Sequence, residues 1–111
     1  MSRPENLLMS YIVCDLLSKS DQIVAHDAWI EIIEEMAKKF RIAGATRQAV
    51  TQIWNREGTF KLGFMWEYKD EKAFNQCQSL FREAEVEFKK RTGITWKITP
   101  NRGIVLNDMH F

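Results

Sequence analysis

Between Phe60 and Tyr68 a bulky apolar residue stands at every second position: Phe60, Leu62, Phe64, Trp66 and Tyr68. A period of two places all five on one face of a strand. A few residues later the period changes. Ala73, Phe74, Cys77, Leu80, Phe81, Ala84 and Phe88 recur at gaps of three and four, which makes one stripe along a helix from Asp70 to Arg91. Asp70 and Glu71 put negative charge at its start, and Lys89, Lys90 and Arg91 put positive charge at its end, as the helix dipole favours. Gly93 supplies the stop. A strand so aromatic on one side has to be covered there, and this requirement constrains every arrangement of the chain.

The remaining segments fit around that pair. Residues 1–6 read as a loose arm. Leu7 to Leu17 reads as a first strand with a charge-free centre. Asp27 to Arg41 is a first helix, with Trp29, Ile32, Ile33, Met36, Ala37 and Phe40 on one side and Glu31, Glu34, Glu35, Lys38 and Lys39 on the other. Asp27 is a candidate cap, and Ser20 a candidate cap for an earlier turn. Gly44 ends that helix. Thr46 to Asn55 is a second strand. The tetrapeptide Asn55-Arg56-Glu57-Gly58 suits a tight turn with a glycine bulge. Counting outward from this turn pairs Trp54 with Phe60, Gln52 with Leu62, Val50 with Phe64 and Gln48 with Trp66. The opposite side pairs Ile53, Thr51, Ala49 and Arg47 with Lys61, Gly63, Met65 and Glu67. Ile94 to Thr99 reads as a fourth strand, Pro100 to Gly103 as a turn, Ile104 to Leu106 as a short fifth strand, and residues 107–111 as a flexible or partner-contacting end.

At 111 residues the chain makes one domain. A chain of this size buries roughly two thirds of its unfolded surface, enough for a core without disulfides. Cys14 and Cys77 fall inside elements and read as buried thiols. The net charge is +1, and acids and bases are interspersed, so no basic face for nucleic acid is visible. No apolar run approaches the roughly 20 residues of a membrane span, and the first residues lack the layout of a secretion signal. A cytoplasmic protein without nucleic-acid or membrane partners is the expectation.

The order β-α-β-β-α-β, with a tight central hairpin, predicts an α+β, ferredoxin-like domain. It has a four-stranded antiparallel sheet with both helices on one face. The side bearing Ala49, Thr51, Gly63 and Met65 is small and would let helices approach closely. The aromatic side would then stand open, and a second copy is the expected cover. Two such sheets face to face would enclose a barrel-like interior.

The run from Lys61 to Phe74, with Trp66 near the strand end, the acidic Asp70-Glu71 and the Ala73-Phe74 pair, resembles the dimeric α+β barrel superfamily. The likeness is strongest to its antibiotic-biosynthesis monooxygenase branch. The resemblance implies a homodimer and a cavity for a small apolar or aromatic molecule. It also implies chemistry such as cofactor-free oxygenation of an aromatic or polyketide-like compound, or cyclisation or isomerisation. Trp66 falls where that branch carries its strand-three Trp. Haem-degrading relatives use an Asn on the first strand and a His on the second helix. Here those elements offer Ser10 and Tyr11, and Gln76 and Gln78, so haem degradation is not expected.

The expected pocket is lined by Tyr11, Gln48, Val50, Gln52, Trp54, Phe64 and Trp66. Tyr11, Gln52 and Trp66 are the candidate catalytic residues. The two glutamines stand out as amides on an aromatic face, where a buried amide needs partners. They would either orient a ligand or pair with each other or with the second subunit. Asp15 would become a base if desolvated. His26 and His110 lack metal-site spacing, and neither a metal nor another cofactor is expected. The competing function is a non-catalytic module that binds a ligand or a protein through the same face. RNA recognition shares the element order but needs a basic-Gly-aromatic-Gly-aromatic run, which Lys61 to Trp66 does not supply.

Overall fold

The structure, a computed structural model, describes residues 7–111, so the arm expected at residues 1–6 lies outside the described residues. The elements are β1 (Leu8–Leu16), α1 (Lys19–Ala43), β2 (Ala45–Ile53), β3 (Phe60–Tyr68), α2 (Glu71–Thr92) and β4 (Lys97–Ile104). They form a ferredoxin-like α+β domain, with one antiparallel sheet in the order β2-β3-β1-β4.

The hairpin register follows the count from its turn. Gln48 pairs with Trp66, Val50 with Phe64 and Gln52 with Leu62, while Arg47, Ala49, Thr51 and Ile53 pair with Glu67, Met65, Gly63 and Lys61. The ladder stops at Ile53, so the expected pairing of Trp54 with Phe60 does not form, and Trp54 is 85% exposed. The turn closes through Thr59 N–H donating to the Arg56 carbonyl at 3.3 Å.

The helices cover the opposite side from the one expected. Leu62, Phe64, Trp66 and Tyr68 are all buried, at 0–3% exposure, in one core with Trp29, Ile32, Phe40, Cys77, Ala84 and Phe88. The reasoning that small sheet residues admit the helices is inverted by α2, which brings the small residues itself. Ala73, Cys77 and Ala84, with Phe88 near the helix end, form its buried stripe, and along the small part of that stripe the bulk comes from the sheet. The stripe of α1, from Trp29 to Phe40, also needs apolar contact, and only the aromatic face of β3 provides it. The open face instead carries Tyr11, Val13, Ala49, Met65 and charged pairs at its ends. Lys61 and Asp15 lie 3.5 Å apart there, as do Arg47 and Glu67. Asp15 therefore sits half-exposed beside a cation.

Two boundaries move. Helix α1 starts eight residues before Asp27, because the Ser18 hydroxyl caps it by accepting from Asp21 N–H at 3.0 Å. At the other end of the chain, residues 97–104 form one strand, and the turn and fifth strand expected there are absent among the described residues. Pro100 sits in that strand opposite Ile12, and β4 is an edge, where a missing donor can face solvent.

Helix α1 ends at Gly44, whose φ of 105° lies in the left-handed region and whose N–H reaches the carbonyls of Phe40 and Arg41. A Cβ at Gly44 would also fall 2.5 Å from the Ala73 Cβ, so the α1–β2 corner and the start of α2 share one close contact. Gly44→Ala should therefore destabilise the domain by about 2 kcal/mol or more, from the left-handed penalty plus the overlap. Urea unfolding followed by circular dichroism would check this, with Gly93→Ala as comparison, since a Cβ there meets open space.

Candidate functional site

A cavity of about 210 Å³ lies between the sheet and α2, open toward β4. It exists because α2 packs over β2 and β3 and leaves β1 and the edge strand β4 uncovered beneath it. Every residue of β4 is exposed. Trp29, Phe64, Trp66, Phe81 and Trp96 form apolar walls. These rings hold one another in place: Phe88 and Trp96 stack at 4.1 Å, Trp96 meets Phe64 edge-on at 5.7 Å, and Trp66 meets Phe81 edge-on at 4.9 Å.

The floor is a polar row across three strands. Ser10 on β1 lies opposite Trp66 on β3 and opposite Arg102 on β4. Neighbouring strands are about 4.8 Å apart, so Trp66 and Arg102 bracket a gap of about 10 Å, and the small Ser10 side chain leaves that gap open. The Ser10 hydroxyl donates to the Tyr68 hydroxyl at 3.1 Å. The pair carries two O–H donors and uses one between them, so the second is available to a bound molecule. Burial pushes the Tyr68 phenol up to about 12, which keeps it protonated at neutral pH. The Trp66 indole N–H is buried and has no partner among the described residues, the only such side-chain atom there. An unpaired buried donor costs roughly 1–3 kcal/mol, which an incoming acceptor would recover.

Charged groups stand at the mouth. The Arg102 guanidinium lies over the Phe74 ring at 4.9 Å. Glu85 on α2 also borders the cavity, and desolvation raises its carboxyl above the usual range. Cys14 lies deeper, and burial, with Glu85 and Asp15 nearby, pushes its thiol up to about 12, so it is an inert thiol rather than a nucleophile.

The pocket expected from sequence is divided by the sheet. Phe64 and Trp66 are in the cavity wall. Tyr11 is on the opposite face, 43% exposed, its ring laid across Gly63, where a Cβ would come within 2.8 Å of the phenol oxygen. Odd and even positions of β1 point to opposite faces, so Tyr11 and Trp66 cannot share a pocket. Trp54 lies in solvent beyond the hairpin. Gln48 accepts from the Trp29 indole N–H at 2.9 Å, and Gln52 donates to Gln22 at 3.5 Å. Gln22 in turn donates to the Lys61 carbonyl at 2.9 Å. Both glutamines thus bond to residues of α1, Trp29 and Gln22, and Val50 packs against the core beside them. Among the described residues no group of His, Cys, Asp or Glu could hold a metal ion, and no helix is long and apolar enough to cross a membrane.

Ser10, Tyr68, Glu85, Trp96 and Arg102 went unnoticed as a site. One signal was present: Ser10 is the lone polar residue among the inward positions Leu8, Ile12, Cys14 and Leu16 of β1. The others join the site only through the strand order and the β4 register.

Residues 5–105 match the family model described as a domain of unknown function, DUF6974. The chain belongs to the DUF6974 family. No curated protein matches this DUF6974 chain. Among solved structures it is similar to a dimeric ferredoxin-like protein from an uncultured marine organism. That structure has a TM-score of 0.80 and 21% identity over 95% of this chain and 100% of the other. A second dimeric ferredoxin-like protein from an uncultured marine organism has a TM-score of 0.79 and 19% identity, over 94% and 99%. SnoaB, a cofactor-independent oxygenase from Streptomyces nogalater, has a TM-score of 0.59 and 10% identity, over 94% and 97%. At these identities the likeness establishes the fold.

The raised carboxyl of Glu85 has a stability consequence. A carboxyl whose folded pKa exceeds its unfolded value costs stability while it is ionised, and the cost fades as pH falls below the unfolded value. Glu85→Gln should therefore raise the melting temperature at neutral pH, and the gain should vanish near pH 4. Thermal melts across that range would check it.

Proposed function

We propose that this DUF6974 protein is a homodimer that binds a small aromatic molecule in the cavity between its sheet and α2. The observation that carries this reading is the orphan Trp66 indole N–H in an otherwise aromatic wall. Such a wall accepts a flat ring, and the lone donor favours a ring bearing an oxygen. The volume of about 210 Å³ lies below the roughly 300 Å³ at which pockets for drug-sized ligands begin, so one or two rings fill it.

The most specific form of the proposal is cofactor-free oxygenation, for which the similarity to SnoaB is a further support. Glu85, its basicity raised by desolvation, would take a proton from an activated ring methylene. The resulting enolate oxygen would be held by the Trp66 N–H and the spare hydroxyl proton of the Ser10–Tyr68 pair. The carbanion would then pass electrons to dioxygen. The peroxide so formed would lose water and leave a carbonyl, so one oxygen atom enters the product and the other leaves as water.

Binding of 2-naphthol, followed by quenching of tryptophan fluorescence, tests the cavity. Ser10→Leu fills the floor and should weaken binding at least about tenfold; because it also removes the Tyr68 hydroxyl's partner, circular dichroism at the binding temperature checks that the variant is folded. Trp66→Phe removes the donor and should weaken it about fivefold, the worth of one neutral hydrogen bond. Naphthol binding to Ser10→Leu as tightly as to wild type would overturn the cavity reading. Dioxygen uptake with anthrone, its third ring left in the open mouth, tests the oxygenation. No uptake above the uncatalysed rate would leave a binding protein.

The homodimer reading rests on the open sheet face and on the dimeric neighbours. Met9, Tyr11, Val13, Ile53 and Met65 line this face half-buried or exposed, more apolar area than a lone sheet face comfortably shows to water. Met65→Glu should convert the dimer to a monomer in analytical ultracentrifugation, whereas Glu71→Gln, on α2, should not.

A further inference from the structure

The polar row on the cavity floor ends in a charge that the protein does not use. None of the ion pairs among the described residues includes Arg102. Arg91, by contrast, contacts Glu31, Glu35 and Glu87. Arg102 instead rests on the Phe74 ring, which is itself part of the cavity wall. A cation–π seat positions a guanidinium without neutralising it. The strand register fixes where that charge points: Arg102 lies opposite Ser10, on the inward side of β4 with Ile98 and Pro100.

We infer that the cavity is selective for an aromatic carboxylate, whose ring lies against Trp66, Phe81 and Trp96 and whose carboxylate is held at the mouth by the Arg102 fork. This inference rests on the proposal that the cavity binds small aromatics and adds the charge of the ligand. Three features support it. The planar guanidinium matches a carboxylate in two parallel hydrogen bonds. The gap of about 10 Å between the Trp66 and Arg102 backbones matches a ring system with its acid at one end. On the floor the Trp66 indole can only donate, and the Ser10–Tyr68 pair has one proton left to give. Glu85 is the opposing charge, and its raised carboxyl reduces the repulsion an anion would meet.

The test compares three probes of one shape on the full chain at neutral pH: 2-naphthoate, 2-naphthalenemethanol and 2-naphthylmethylammonium. Affinities are read by titration calorimetry. Wild type should bind the carboxylate about tenfold more tightly than the alcohol, the scale of a charge-assisted hydrogen bond at a partly solvated site. The advantage should shrink with added salt. In Arg102→Gln, on an exposed edge strand where folding is not at stake, carboxylate and alcohol should bind alike, and Arg102→Lys should keep part of the difference. Glu85→Gln should widen it. Equal affinities in wild type, or an advantage that survives in Arg102→Gln, would overturn the charge selection and leave the cavity reading standing. Preference for the ammonium probe would overturn it in favour of Glu85. Failure of all three probes to bind would overturn both.

Discussion

The domain depends on an aromatic interlock between β3 and its two helices. Phe64 and Trp66 stand between Leu62 and Tyr68 on the sheet's covered face, and each is met by rings from both helices or their flanks. Trp29 and Trp96 close on Phe64, and Phe40 and Phe81 close on Trp66. Edge-on and stacked pairs of this kind contribute about 0.5–1.5 kcal/mol each beyond the area they bury. More importantly, they are stiff. A Leu-rich core would let α2 slide, whereas interleaved rings set the height of α2 above the sheet and thereby the depth of the cavity beside it. The small stripe of Ala73, Cys77 and Ala84 lets α2 come close on the β3 side. The helix has no such seat over β4, and the space there stays open.

Electrostatics plays a secondary part. The Arg91 network links α2 to Glu31 and Glu35 of α1, and Lys39 reaches Glu83, but these pairs are exposed and screened by water, so each adds little. They orient the helices along each other. The polar groups that matter for chemistry are fewer and lie lower in the structure, in one row perpendicular to the strands. That row holds a serine, an indole and an arginine because the antiparallel register aligns positions 10, 66 and 102, which are far apart in the chain.

Much of the fold was legible in the sequence. The two periods around Tyr68 define a strand and a helix, the Asn55–Gly58 turn fixes the hairpin register, and the order of elements leaves few topologies. Which face the helices would take was not legible from β2 and β3 alone, since both faces could be covered. Deciding it required comparing the bulk of the sheet with the bulk of the helix stripes: Ala73, Cys77 and Ala84 can accept rings, and Gly63 is needed beneath Tyr11 instead. The cavity was half legible. Trp66 and Phe64 were visible as candidates, but the partners of Gln48 and Gln52 were not, because the helix residues that bond them, Trp29 and Gln22, lie 19 and 30 residues away. Arg102 was hidden for another reason. Pro100 and Gly103 look like a turn, and only at a sheet edge can they belong to a strand.

The bare edge strand has an implication for how the molecule trades with its surroundings. The door of the cavity opens past β4 on the helix side, while Tyr11 and Met65 look out from the reverse of the sheet. Whatever lies against that reverse side leaves the door clear. Under the proposed reading, guest and neighbour would not compete for space, and each chain in an assembly would fill and empty on its own clock.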